Sequence, residues 1–200
     1  LFADRMETSD DPAVQRSAPK IIGAISRAVN LCETTLAFGK AEEPPPTLSH
    51  VDLGMLVNDV IESERLAVEE FDLSFAEDVP TGLTIRADGE QLYRVLSNLI
   101  RNARQAIIAA GKPGEICVAC GELDDGWWIT VRDTGPGLPA KAKEYLFQPF
   151  QGGTRKGGTG LGLAISAELI RGHGGDLMLE SSDETGTQFR INLPRGIRLA

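Results

Sequence analysis

The apolar residues of this chain recur at helical spacing in four separate stretches. In the first, at about 12–40, they follow one another in steps of four and three, the heptad pattern of a helix that packs against a partner helix. The other three, at about 52–69, 89–110 and 161–171, predict amphipathic helices that each bury one face. The chain therefore combines one long helix that needs a helical partner with three helices typical of a globular core.

Short runs rich in apolar residues predict strands at about 73–76, 83–87, 115–121, 127–132, 176–180 and 188–193. Asp124-Asp125-Gly126 and Asp183-Glu184-Thr185-Gly186 lie between successive strands and predict tight turns. Because these strands alternate with helices and end in a hairpin, the pattern predicts an α+β fold in which helices cover one face of a mixed sheet.

Consecutive prolines divide the chain into two parts. Glu42-Glu43-Pro44-Pro45-Pro46 cannot continue a helix, because proline lacks the backbone donor and its ring clashes with the preceding turn. We expect residues 1–43 to be part of a helical hairpin, in which 1–6 end one helix and 12–40 form the next. Residues 44–51 are expected to be a proline-rich linker, and residues 52–200 a second domain.

The overall charge narrows the range of partners. The 200 residues carry a formal net charge of −9, whereas binding to nucleic acid relies on clustered Lys and Arg that neutralise phosphates. No apolar run approaches the roughly 20 residues that a membrane helix requires, and the first residues lack the layout of a signal peptide. We therefore expect a cytoplasmic segment without nucleic-acid or membrane contact, whether or not the parent protein is membrane-anchored.

Cys117 and Cys120 form a C-x-x-C pair within the apolar run Ile116-Cys117-Val118-Ala119-Cys120. Successive residues of a strand point to opposite faces, so this spacing directs the two thiols away from each other. We expect reduced cysteines that are part of the structure rather than a redox pair or a zinc site.

Asn98 and Asn102 lie four residues apart on the helix predicted at 89–110, and therefore on the same face. Their carboxamide oxygens could hold a hydrated Mg²⁺ whose other ligands are water and nucleotide phosphates. Taken alone, two such residues are more often solvated or capping asparagines.

Asp133-Thr134-Gly135-Pro136-Gly137 follows the apolar strand predicted at 127–132. A carboxylate at the end of a buried strand can accept a hydrogen bond from an exocyclic amine, and glycines allow the backbone close to a flat ring. A tight turn would explain the glycines equally well, but it explains Asp133 less well.

Residues 157–162, with the sequence Gly-Gly-Thr-Gly-Leu-Gly, lead into the helix predicted at 161–171. The free backbone N–H groups and the positive end of that helix are suited to binding an anion. No Gly-Lys-Ser or Gly-Lys-Thr ends the run, so it is not a P-loop, and a flexible linker is the alternative for the run taken alone.

Between these two motifs, Leu146-Phe147-Gln148-Pro149-Phe150 forms an apolar island in an otherwise irregular stretch. Aromatic residues in a loop of this kind favour a lid, at about 138–159, that closes over a bound ligand. Ordinary packing of the loop against the domain is the alternative.

In this order and spacing, the four motifs resemble the asparagine, first glycine, phenylalanine and second glycine boxes of the GHKL ATP-binding domain, in particular those of a sensor histidine kinase. The resemblance covers residues 52–194. It implies the Bergerat-type α/β sandwich, with ATP and Mg²⁺ bound between the helices and the lid. It also implies transfer of the γ-phosphate to a histidine.

The resemblance assigns Mg²⁺ binding to Asn102 and a place near the phosphates to Asn98, and these two are the expected catalytic residues. Gyrase-like and chaperone-like members of the superfamily carry a glutamate at the position of Asn98, where it acts as the base for hydrolysis. An asparagine cannot take a proton from water, which favours phosphoryl transfer to an external acceptor.

The remaining nucleotide-binding residues are also implied by the resemblance. Asp133 would pair with the adenine amino group, with Gly135 and Gly137 beneath the base and Thr187 nearby. The lid aromatics would be Phe147 and Phe150. The residues that cradle phosphate would be Gly158, Thr159, Gly160, Leu161 and Gly162.

The phosphate-accepting histidine is the point at which this chain departs from the family. There it lies on the first helix of the hairpin beside Glu or Asp, whereas this chain has only His50 and His173. Neither has a neighbouring carboxylate in the sequence to orient the ring. We therefore expect ATP binding without autophosphorylation, dimerisation through the hairpin helices in the full-length protein, and a response regulator receiver domain as partner.

Two other functions share parts of this pattern. One is a phosphotransfer or docking module that retains the fold but no longer uses ATP, although all four boxes look intact. The other is a GHKL serine kinase that acts on a regulatory protein, which would not be expected to carry the helical segment 1–40. Nucleotide titration separates the first from a kinase, and a hairpin dimer would argue against the second.

Overall fold

The computed structural model of the protein describes residues 44–66, 68, 71–149 and 160–196. The predicted hairpin segment 1–43, with its helix at 12–40, lies outside the described residues, as do residues 150–159 of the predicted lid. Within the described ranges, no helix is long and apolar enough to cross a membrane.

The described residues form seven strands and four helices. In chain order they are β1 (Ser49–Asp52), α1 (Leu53–Leu66), β2 (Leu73–Asp78), β3 (Thr84–Ala87), α2 (Gly89–Ala110), β4 (Gly114–Leu123), β5 (Gly126–Asp133), α3 (Ala140–Glu144), α4 (Gly162–Gly172), β6 (Asp176–Asp183) and β7 (Gly186–Pro194).

Five of these strands make the central sheet, in the order β2-β4-β5-β7-β6. β2 runs parallel to β4, whereas the other neighbouring pairs are antiparallel. The predicted turns at 124–126 and 183–186 join the hairpins β4–β5 and β6–β7. The sheet is therefore mixed, as the alternation of strands and helices predicts.

The helix α2 lies at the centre of the helical layer, because it packs against both α1 and α4 and also contacts β4 and β5. Its apolar stripe is buried, as the 3.6-residue spacing predicts, and consists of Leu92, Val95, Leu96, Leu99 and Ala103. The predicted α+β fold, a mixed sheet with helices on one face, is confirmed.

Both ends of α2 are fixed by specific residues. Asp88 caps the first turn, because its carboxylate accepts a hydrogen bond from the backbone N–H of Gln91 at 3.0 Å. At the other end, Gly111 adopts a φ of 65° and donates its backbone N–H to the carbonyl of Ile108. These two caps fix where the helix that carries Asn98 and Asn102 begins and ends.

The short strand β1 differs from the prediction of a linker over 44–51. It pairs antiparallel with β3, with Ser49 opposite Ala87, so the second domain begins before residue 52. The side chains of β1 are exposed or half-buried, and the strand therefore carries no apolar alternation that would predict it.

The proline segment itself is attached to the start of α2. The Gln91 side chain donates to the carbonyl of Pro44 at 3.0 Å, and the backbone N–H of Thr47 donates to the Asp88 carboxylate at 2.9 Å. Residues 44–47 are therefore held against the start of α2.

Candidate functional site

Asn98 is held in the interface between α2 and α4. Its side chain is 8% exposed, its Nδ2 donates to the Ser166 hydroxyl on α4 at 3.0 Å, and its Oδ1 accepts from Arg101 at 3.3 Å. A buried amide with both ends engaged has a fixed orientation. Asn98 is therefore not a solvated or capping asparagine, which was the alternative that the sequence left open.

Asn102 lies one turn further along the same face of α2 and is half-buried. Among the described residues, no hydrogen bond to its side chain is present. No group of three or more His, Cys, Asp or Glu side chains within those residues could hold a metal ion. The amide oxygen of Asn102 is a ligand of the kind that Mg²⁺ accepts.

Asp133 ends β5 and lies opposite Thr187 on β7. Each of the two residues is 5% exposed. The Asp133 carboxylate accepts a hydrogen bond from the backbone N–H of Gly135 at 2.7 Å, and the hydroxyls of Thr187 and Ser182 are 3.2 Å apart. Asp133 and Thr187, two predicted site residues from distant parts of the chain, are thus neighbours on adjacent strands.

The loop after Asp133 lies too close to its surroundings for side chains at two positions. A Cβ on Gly135 would be 2.7 Å from the Asp133 carboxylate and 3.4 Å from the Cβ of Ala106 on α2. Gly137 has a φ of +73°, and a Cβ there would lie 2.0 Å from the backbone carbonyl oxygen of Asp183. Gly135 therefore packs against Asp133 and the second half of α2, and Gly137 packs against the end of β6.

The first residue of α4 approaches Asn98 closely. A Cβ on Gly162 would be 2.3 Å from the Oδ1 atom of Asn98, so only glycine fits there without displacing the amide. Leu161 is fully buried, and Gly160 has a φ of +69°. Gly158 and Thr159 lie outside the described residues. The glycine-rich start of α4 thus contacts α2 at Asn98, the first of its two asparagines.

Phe147 packs against the hydrophobic core and is half-buried, next to the buried Leu146. The described part of the predicted lid also contains α3, which the sequence did not predict, and Lys143 on α3 donates to the carbonyl of Ser182. Phe150 lies outside the described residues. Phe147 therefore takes part in packing of the loop against the domain.

A cavity of about 260 Å³ lies between α2 and α4. Asn98 and Gly162 line it, whereas Asp133, Gly135 and Thr187 do not. The structure thus gathers the predicted residues into two groups that both contact α2. One lies at Asn98, the other near Ala106, and Asn102 is halfway between them.

Neither histidine resembles a phosphate acceptor. His173 is 4% exposed, and its ring nitrogens contact the Leu169 carbonyl at 2.8 Å and the Asp88 backbone N–H at 3.0 Å. The second contact requires an unprotonated Nε2, so Nδ1 carries the hydrogen. His50 is exposed on β1, opposite Arg86.

Three residues of the site were not anticipated from the sequence. Ser166 and Arg101 both hydrogen-bond to the Asn98 amide, and Ser182 accepts a hydrogen bond from the backbone N–H of Leu138 at 2.8 Å. Ser166 is 2% exposed within an apolar helix, and a polar residue at such a position indicates a buried partner.

Comparison with known proteins gives consistent matches. The family described as "Histidine kinase-, DNA gyrase B-, and HSP90-like ATPase" matches residues 87–197. The C4-dicarboxylate transport sensor protein DctB of Rhizobium meliloti is 41% identical over 116 residues, which cover 58% of this chain and 18% of that protein. The sensor histidine kinase ZraS of Escherichia coli is 36% identical over 152 residues, which cover 75% of this chain and 32% of that protein.

Solved structures agree with these relatives. Full-length ShkA in complex with AMPPNP has a TM-score of 0.79 at 25% identity, covering 100% of this chain and 42% of that one. The histidine kinase ThkA in complex with the response regulator protein TrrA has a TM-score of 0.76 at 26% identity, covering 100% of this chain and 57% of that one. In each of these four cases the chain spans less than two thirds of the protein that it matches.

Proposed function

This chain belongs to the histidine kinase-, DNA gyrase B- and HSP90-like ATPase family, and on that premise we propose that it is the ATP-binding catalytic part of a sensor histidine kinase. It transfers the γ-phosphate of ATP to a histidine outside these 200 residues. The arrangement along α2 carries the proposal: Asn98, Asn102 and Ala106 follow one another at one-turn intervals. Residues 98 and 106 are about 12 Å apart along the helix axis, on the scale of a nucleotide from base to terminal phosphates.

The adenine binds beside Ala106, at the second half of α2. The Asp133 carboxylate accepts a hydrogen bond from the adenine amino group, with Gly135 and Gly137 beneath the ring and Thr187 nearby. Burial of Asp133 supports this assignment, because a hydrogen bond to a carboxylate is stronger where water is excluded. Gly135 supports it as well, because its backbone lies beside both the Asp133 carboxylate and Ala106.

The phosphates bind where α4 begins. Gly160, Leu161 and Gly162, together with Gly158 and Thr159, present backbone N–H groups and the positive end of the helix to the anion. Mg²⁺, bound through Asn102, neutralises part of the phosphate charge. Phe147 and Phe150 belong to the lid that covers the nucleotide.

Transfer rather than hydrolysis follows from the chemistry of Asn98. Its amide is hydrogen-bonded to Ser166 and Arg101, and it offers no basic group that would take a proton from water. Phosphoryl transfer depends mainly on positioning and on stabilisation of charge. Asn98 and the start of α4 therefore orient the γ-phosphate towards an incoming imidazole.

The proposed partners are a response regulator receiver domain and a second copy of the protein. The complex of ThkA with TrrA supports the first, because all of this chain matches part of ThkA, 57% of that chain. The heptad spacing at 12–40 supports dimerisation through helices of the hairpin.

Nucleotide titration of the 200-residue chain tests the proposal. We expect ATP with Mg²⁺ to bind more tightly than GTP, which lacks the adenine amino group. Asp133→Asn should weaken ATP binding about tenfold to a hundredfold, because a charge-assisted hydrogen bond is lost. Asp124→Asn, which removes an exposed carboxylate in the β4–β5 turn, should leave ATP binding unchanged. A wild-type chain that binds no nucleotide would instead favour the docking module that no longer uses ATP.

A further inference from the structure

The cavity between α2 and α4 is lined by two arginines and by no carboxylate. Its remaining lining residues are uncharged, and the full lining consists of Tyr93, Arg94, Ser97, Asn98, Arg101, Gly162, Ile165, Ser166 and Leu169. The chain as a whole carries a net charge of −9, whereas the charged side chains that line the cavity are both positive. A cavity whose lining contains two guanidinium groups and no carboxylate suits an anion.

Arg94 and Arg101 are seven residues apart and therefore lie on the same face of α2, two turns from each other. Arg104, one turn beyond, is committed elsewhere, because its guanidinium pairs with Glu64 on α1 at 2.8 Å. Arg101 makes no ion pair within the described residues, and it donates to the Asn98 amide oxygen at 3.3 Å. Its guanidinium retains further donors that a bound anion can use.

We propose that Arg101 contacts the terminal phosphate of ATP and so distinguishes ATP from ADP. This inference rests on the proposed function. The base is assigned to the second half of α2, near Ala106, whereas the cavity lies along the first half, so an anion that reaches Arg101 is the end of the nucleotide farthest from the base. Asn98 and Gly162 both line the cavity, and Gly162, the first residue of α4, lies directly against the Asn98 amide, so the cavity adjoins the phosphate site proposed at the start of α4.

The contact has a consequence for the order of events. While ATP is bound, the planar guanidinium holds the phosphate that is to be transferred, in the orientation set by its hydrogen bond to Asn98. After transfer, the diphosphate no longer reaches Arg101. ADP is then bound more weakly than ATP, which promotes its release.

Titrations with ADP and with a non-hydrolysable ATP analogue, both with Mg²⁺, test the inference. Arg101→Ala should weaken binding of the triphosphate analogue about tenfold to a hundredfold, whereas the affinity for ADP should change less than about threefold. Arg101→Lys, which retains the charge but not the fork of donors, should give an intermediate loss for the analogue. Arg86→Ala removes an exposed arginine on β3 and should leave both affinities unchanged.

Three outcomes are informative in the other direction. An unchanged affinity of Arg101→Ala for the analogue would overturn the assignment. An equal loss of affinity for the analogue and for ADP would also overturn it, because Arg101 would then only support Asn98. Thermal unfolding of each variant verifies that it is folded. If Arg101→Ala is unfolded, the affinities of Arg101→Lys for the analogue and for ADP test the contact instead. A wild-type chain that binds neither nucleotide refutes the proposed function itself, and is thereby distinguishable from failure of the Arg101 contact.

Discussion

At the scale of single residues, burial determines the chemistry of the two cysteines in β4. Burial raises the pKa of Cys120 to about 12, and the negative charge of Asp78 adds to the effect. Burial also raises the pKa of Cys117, assisted by the charges of Glu115 and Asp78. The thiolate is the reactive form of cysteine, so the raised pKa values argue against a redox role for this C-x-x-C pair.

Alkylation at pH 8 measures this directly. An ordinary cysteine, with a pKa of about 8.5, is partly ionised at that pH, whereas Cys120 is protonated and buried. We expect iodoacetamide to modify Cys117 slowly and to leave Cys120 unmodified until the chain is unfolded in urea. Mass spectrometry of peptides after timed alkylation, with and without urea, provides the measurement. Rapid modification of Cys120 in the absence of urea would contradict this account.

The residues that could be predicted from the sequence carry a distinctive group at a defined point of a predicted element. Asn98 and Asn102 share a helix face, and Asp133 ends an apolar strand. Ser166 was missed, because its contact to Asn98 depends on how α4 packs against α2. Arg101 was missed, because the cavity that it lines forms only between these two helices. Linear spacing carries no information on the contact between two helices that are separated by two strands and a short helix.

At the scale of elements, the start of α2 is a junction of three parts of the chain. The Asp88 carboxylate accepts hydrogen bonds from the backbone of Gln91 and Thr47, and the Asp88 backbone N–H donates to the ring of His173 at the end of α4. Burial raises the pKa of Asp88, but hydrogen bonds from the backbone outweigh it and hold the pKa below its ordinary value. The ionised carboxylate therefore stabilises the fold.

Replacement of this cap should destabilise the chain in a pH-dependent way. Asp88→Ala is expected to lower the free energy of unfolding by about 1–2 kcal/mol at pH 7, the usual effect of a lost helix cap. Because the pKa of Asp88 is lower in the folded than in the unfolded state, its stabilisation is complete above the unfolded value and is lost as acid titrates the folded carboxyl. The deficit should therefore shrink below about pH 4. Urea unfolding of both proteins at pH 7 and pH 3 measures it, and a constant deficit would contradict the linkage.

The elements differ in how well the sequence predicts them. α2 combines a complete apolar stripe with a cap residue at one end and a glycine at the other, so local signals agree. β1 has no such pattern and exists only because β3, which lies beyond α1 and β2 in the chain, offers a partner for pairing. The parallel pairing of β2 with β4 is likewise a contact between distant segments, and no local periodicity specifies it.

At the scale of the whole molecule, the described residues assemble a candidate nucleotide site but place no histidine as an acceptor. His173 connects the end of α4 to the start of α2, and both of its ring nitrogens are engaged in that contact. His50 lies on the two-stranded sheet of β1 and β3, which is separate from the five-stranded sheet that carries Asp133 and Thr187. Binding of ATP and acceptance of its phosphate are thus expected to be functions of different segments.

Incubation of the 200-residue chain with γ-labelled ATP and Mg²⁺ should therefore give nucleotide binding without stable labelling of the protein. His173 is buried against Leu169 and Asp88, and freeing its ring would break the hydrogen bond at the start of α2. A titration of the same sample verifies that ATP is bound, so that a missing label reports on the acceptor alone. Acid-labile label that disappears in His50→Gln would identify His50 as an acceptor and contradict the expectation. Acid-stable label on a hydroxyl would instead favour the serine kinase, because phosphoserine survives conditions that hydrolyse phosphohistidine.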